Sequence, residues 1–156
     1  MSSATLDLPP STSWRLRLAA IQARLEAALP LSVLQLLMRI AVGGVFFRSG
    51  LLKIESWDLA VLLFRDEYRL PLLSPELAAA LGTAVELGAP LLLFAGLLTR
   101  LATLPLLAMT LVIQTLVYPQ AWNEHLLWAV PLLFLLTRGP GALSLDRLIG
   151  LEPAGR

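Results

Sequence analysis

Cysteine is absent from this chain of 156 residues, and histidine occurs once, at His125. No disulfide, thiol relay, thiolate-held iron–sulfur cluster or CxxCH haem attachment can be built from it, and a bis-histidine haem within one chain is excluded. Any redox chemistry must run through a bound small molecule or a partner's cofactor. Charge is also scarce: 15% of the residues are charged and the net charge is +1. The basic residues are scattered, which gives nucleic-acid binding no footing. Met1 to Pro10 lacks the charged-then-apolar pattern of a cleaved signal peptide, so insertion is expected to be driven by the first apolar span.

What the chain has instead is apolar length. It is 57% hydrophobic, with a mean hydropathy of +0.76, against roughly 45–50% apolar residues in soluble domains. The expected fold is an all-α membrane protein of one domain, a four-helix transmembrane bundle. A hydrocarbon core about 30 Å thick needs roughly 20 apolar residues of helix, and spans are expected at about 31–53, 75–98, 101–118 and 122–138. Ser74, Pro75 and Glu76 read as an N-cap, a proline at the first helical position and an acid in the first turn. Thr99 and Arg100 read as a turn short enough to make the second and third spans antiparallel neighbours, Pro119 breaks the third, and Gly139, Pro140 and Gly141 stop the fourth.

Outside the spans, 1–13 is expected to be a flexible tail and 149–156 a short second one. From Trp14 to Leu29 the apolar residues recur at helical spacing among Arg15, Arg17 and Arg24, which predicts an amphipathic interfacial helix with a basic side. The segment from Glu55 to Leu70 carries too many charges to cross a membrane and reads as an external amphipathic helix. Arg15, Arg17, Arg24, Arg100, Arg138, Arg147 and Arg156 fall on one side of the spans, against Lys53, Arg65 and Arg69 on the other. The positive-inside rule then puts both termini in the cytoplasm, in a bacterial inner membrane.

The polar residues within the spans are the candidates for function. On the first span Arg39, Gly43, Phe46, Gly50 and Lys53 fall within about 40° of one meridian, with Arg48 opposite. Glu86 lies mid-way along the second span, at a depth counted as matching that of Arg39, so an Arg39–Glu86 ion pair is expected; a proton-carrying or ligand-binding Glu86 is the alternative. Thr103, Thr110 and Gln114 form a stripe on the third span that suits interhelical hydrogen bonds. His125 is flanked by Trp122 and Trp128, aromatic residues of the kind that mark the membrane interface. One histidine makes no metal site, and none is expected. If these faces turn inward, the bundle holds a cavity with Lys53, Gln114, His125, Trp122 and Trp128 near its outer mouth and Glu86 and Arg39 beneath. A quinone head, whose two carbonyls accept hydrogen bonds, would suit it, as would other amphipathic ligands.

Four stretches together resemble the DoxX family of small bacterial membrane proteins: RIAVGGVFFRSGLLKI in the first span, ELGAPLLLFAGLLTRLAT in the second and its turn, the following spans, and GPGALSLD after the fourth, with Gly139, Pro140, Gly141, Ser144 and Asp146. The likeness runs from about Leu31 to Leu148. It implies a membrane subunit of a quinone-linked or oxidative- or metal-stress redox system, not catalytic on its own and without a redox cofactor of its own, working with redox or stress-response partner proteins. The Gly139–Asp146 ending reads as a terminal clasp. Two other classes remain open: a transporter or export accessory for a small solute or metal-binding peptide, acting as a homodimer along the Gly43 and Gly50 face, and a scaffold that anchors soluble partners.

Overall fold

The computed structural model describes residues 10–152. In it the chain is an all-α membrane protein: α1 Pro10–Ala28, α2 Leu31–Glu55, α3 Trp57–Leu63 continuing into a π-helical turn Phe64–Tyr68, α4 Pro75–Ala95, α5 Thr99–Val112 continuing into a π-helical turn Ile113–Val117, α6 Trp122–Arg138 and α7 Leu145–Leu148. Among the described residues three helical stretches, Leu31–Glu55, Pro75–Ala95 and Thr99–Val117, are long and apolar enough to cross a membrane. At 17 residues, α6 sits at the lower limit of about 17 for a span.

The chain divides into two units, 1–31 and 32–156. In the first, α1 extends back to Pro10, so residues 10–13 are helical where a tail was expected; residues 1–9 of that expected tail lie outside the described residues. Trp14, Leu18, Ile21, Leu25 and Leu29 are exposed. The arginines do not form one basic side: at about 100° per residue, Arg17 and Arg24 border one edge of this apolar stripe and Arg15 the other.

In the second unit α2, α4, α5 and α6 pack around Val42, Phe46, Leu93, Leu106, Leu132 and Leu135, all buried. The glycine face of α2 is consumed inside the chain. A methyl group on Gly43 would sit 2.7 Å from the Phe94 ring and one on Gly50 2.8 Å from Leu87, both on α4, so a homodimer along that face is excluded by α4 already being there. The segment after α2 lies against α4, with Phe64 on Ala78 and Ala79 and with Val61, Tyr68 and Leu70 around them.

Ser74 caps α4 as its sequence suggests, its hydroxyl accepting from the Leu77 N–H at 3.3 Å. The α4–α5 turn falls earlier than expected: α4 ends at Gly96 (φ 65°), Leu98 is left-handed (φ 47°), and Thr99 and Arg100 already belong to α5. Thr103 and Thr110 donate to Arg100 and Leu106 on their own helix, both at 2.7 Å. They back-bond within α5 instead of reaching across helices, and of that stripe Gln114 alone bridges to a neighbour.

Candidate functional site

Between α2, the α3 π-turn, α4, α5 and α6 lies a cavity of about 510 Å³. Its walls are mostly aliphatic, and its polar groups are few and grouped. Ser49 and Lys53, one helical turn apart on α2, share a face with Glu86 of α4 because Gly50 between them brings the backbones together: a methyl on Gly50 would lie 3.1 Å from Glu86 Cβ. Lys53 Nζ donates to both Glu86 carboxylate oxygens at 2.7 Å and to Ser49 Oγ at 2.9 Å. Ser49 Oγ donates in turn to Glu86 Oε1 at 3.0 Å. With side-chain exposures of 12% and 7%, the Lys53–Glu86 pair is desolvated, and the shared hydroxyl supplies the additional hydrogen bonds that such a pair requires.

This corrects the expected Arg39–Glu86 pair. Counting depth from helix ends assumes level ends, but Gly50 lies five residues from the end of α2 and Glu86 eleven from the start of α4. At about 1.5 Å per residue, α4 stands roughly 9 Å further along, which brings Glu86 to the level of Gly50, about one turn from Lys53 and within reach of its side chain. Arg39 lies at the other end of the bundle, outside the cavity. Its Nη1 donates to the Leu93 carbonyl at 3.3 Å and its Nη2 to the Leu143 carbonyl, while its buried Nε has no partner.

Tyr68, Tyr118, Glu124 and His125 line the rest of the cavity's polar wall; Gln114, expected at its mouth, does not line it and touches it only through His125. His125 is 4% exposed, and its Nδ1 is 2.6 Å from Gln114 Oε1, so that nitrogen carries the proton and donates. Gln114 Nε2 donates to the Pro119 carbonyl at 2.9 Å. The Trp128 ring is 5.1 Å from the imidazole and 5.6 Å from Phe46, and Trp128 lines the cavity with His125. Trp122 does not; it is 55% exposed and borders a shallow groove between α5 and α6 that also touches Gln114 and His125.

Three groups went unread in the sequence: Ser49, Tyr68 and Tyr118. Tyr68 ends the first π-turn and Tyr118 follows the second; the two stack edge to face, centroids 6.0 Å apart, and the Tyr118 hydroxyl donates to Glu67. Burial pushes the Tyr68 phenol up, and Glu67, by accepting its hydrogen bond, pushes Tyr118 up, so both stay neutral at ordinary pH. A Tyr at i+4 from Phe64 was visible as part of an apolar stripe; that it would meet Tyr118 depends on tertiary packing. Among the described residues no group of three or more His, Cys, Asp or Glu is placed to hold a metal ion.

The Gly139–Asp146 motif takes no part in the cavity. Asp146 accepts from the Leu98 and Thr99 N–H groups at 2.6 and 2.9 Å, capping α5, while its own N–H donates to the Gly96 carbonyl at 2.9 Å. Ser144 Oγ donates to Gly141 at 2.6 Å and accepts from the Arg147 N–H at 3.3 Å, capping α7. Gln35 Nε2 donates to the Gly139 carbonyl at 3.1 Å. Gly139 and Gly141 have φ of 80° and 88°, and Pro140 is buried between them. The motif is a clasp on α2 and α5. The expected tail joins it, because Glu152 pairs with Arg100 at 2.6 Å; residues 153–156 lie outside the described residues.

A family model described as DoxX matches residues 34–119. The chain is also 31% identical over 126 residues to an uncharacterised protein of Haemophilus influenzae, covering 73% of this chain and 82% of that one. No solved structure matches. The matched stretch contains Ser49, Lys53, Tyr68, Glu86, Gln114 and Tyr118, and stops before His125.

Proposed function

The chain belongs to the DoxX family, and on that premise we propose that it is a four-span inner-membrane subunit that holds a membrane quinone for a redox or stress-response partner. The partner supplies the electrons, since this chain has neither cysteine nor a second histidine. The observation that carries the reading is one cavity of about 510 Å³, within the usual range of about 300–1,000 Å³ for small-molecule sites, in which a mostly apolar lining is interrupted by hydrogen-bonding side chains from several elements: Ser49, Lys53 and Glu86 from α2 and α4, and Tyr68, Tyr118 and His125 from the ends of the π-turns and α6. A quinone presents a flat apolar ring with an acceptor oxygen at each end. The three N–H groups of the Lys53 ammonium are taken by Ser49 Oγ and the two Glu86 oxygens, so Lys53 donates to one carbonyl by exchanging its bond to Ser49 for one to the quinone. At the other, with Nδ1 committed to Gln114, Nε2 of a neutral His125 accepts; it donates only when the ring is protonated. The neutral Tyr68 hydroxyl, which lines the same cavity, is a donor that needs no protonation. Trp128 and Phe64 offer ring faces and edges to the head.

In this arrangement α6 is the fourth crossing, both termini face the cytoplasm where the arginines are concentrated, and the cavity opens toward the outer side. The test is mass spectrometry of an organic extract from protein purified in mild detergent, beside Glu86→Gln and His125→Ala. Quinone retained near one per chain by the parent and lost from a folded variant supports the reading; phospholipid alone in all three samples refutes it.

A further inference from the structure

The proposed function leaves α1 unused, and its composition and attachment point to a second binding surface. At about 100° per residue, Trp14, Leu18, Ile21, Leu25 and Leu29 lie in an arc of roughly 80°, and they are between 48% and 61% exposed. Arg17 and Arg24 stand roughly 80–100° to one side of the centre of that arc and Arg15 about as far to the other, beside Gln22 and Glu26, with Ala19, Ala20, Ala23 and Ala27 on the back and Leu16, also exposed, directly opposite the stripe. Arg15 extends over the Trp14 ring, its guanidinium 5.4 Å from the centroid. Glu26 is the one acid between Trp14 and Leu29, against three arginines.

Attachment narrows what can cover the stripe. Leu29 and Pro30 alone separate α1 from α2, and two residues reach at most about 7 Å. Since α2 is long and apolar enough to cross a membrane, the end of α1 is held where α2 enters the hydrocarbon. An apolar stripe at that level, bordered on both edges by long cationic side chains that can reach outward, is the pattern of a helix lying in the headgroup layer. A soluble protein groove would leave the flanking arginines needing a separate acidic lining; an anionic bilayer supplies negative charge on both edges at once.

We propose that α1 binds anionic phospholipid headgroups, with the stripe from Trp14 to Leu29 in the acyl boundary and Arg15, Arg17 and Arg24 on the phosphates. Each arginine near an anionic surface strengthens association by roughly fivefold, and the effect is screened by salt. The experiment is hydrogen–deuterium exchange of the full chain in nanodiscs of phosphatidylcholine alone or with about one third phosphatidylglycerol, with protection of α2 and α4 as the control for folding. The expected result is exchange of the 10–28 amides at least about tenfold slower in the anionic discs, a difference that shrinks at high salt and disappears in the Arg15→Gln, Arg17→Gln, Arg24→Gln variant. Equal exchange in the two lipids overturns the proposal, as does slowing that survives in the triple variant. Equal protection in lipid-free detergent would assign the stripe to the protein's own surface and overturns it as well. A quinone-free bundle would leave this result untouched.

Discussion

Lys53 and Glu86 show how little of a buried pair can be read from one helix at a time. Both were visible as costly charges in apolar spans, and both do line a cavity; their pairing was not legible, because it depends on the relative height of α2 and α4, which no pattern within either helix encodes. Removing one partner strands the other away from water, a loss of about 3–5 kcal/mol. Lys53→Met is therefore expected to lower the melting temperature in detergent sharply, and Lys53→Met with Glu86→Gln to recover most of the loss, as a thermal-shift series on the three variants would show. The tyrosines give a second check at this scale. Tyr68 and Tyr118 are the only two in the chain, so tyrosinate absorbance reports on this pair alone. Both phenols lie above the ordinary value of about 10, so the folded chain keeps protons that the unfolded chain releases, and stability falls as pH rises beyond about 10. A spectrophotometric titration should show no tyrosinate below that pH, and Glu67→Gln should bring the Tyr118 midpoint down.

At the scale of elements, the helices were legible wherever apolar length and local punctuation agreed. The Ser74 and Pro75 start of α4 and the Trp122 to Arg138 extent of α6 follow from residues beside them. The α4–α5 turn was misplaced because its cap comes from far along the chain: Asp146 reaches back 48 residues to the Leu98 N–H, so a non-glycine left-handed residue is held where local sequence suggests continued helix. Asp146→Ala should cost about 1–2 kcal/mol, the upper range for a lost helix cap, read as a lower melting temperature and new proteolysis between Gly96 and Arg100. Gly96→Ala should cost more, since its φ is 65° and the added methyl would fall 2.0 Å from Arg39 Nη1. The two π-turns left no sequence signal that periodicity could detect; each adds a residue to its turn and sets a tyrosine at the cavity.

For the whole molecule, the all-α membrane class followed from composition and the length of the apolar runs, and the family from motifs in the first two spans together with the GPGALSLD ending. The cavity did not, since it exists only where α2, α4, α5 and α6 leave space around small or paired side chains. The absence of cysteine makes topology easy to test: single cysteines at Ser13 and at Gly150 should both be shielded from an impermeant thiol reagent in intact cells, and one at Gln120 should react. The most direct test of the central claim is photoaffinity labelling with an azido-quinone in native membranes, followed by peptide mapping. The account predicts saturable labelling confined to the stretches around Ser49–Lys53, Phe64–Leu70 and Ala121–Trp128, suppressed by excess unlabelled quinone. Labelling spread over the outward-facing leucines, without saturation, would contradict it.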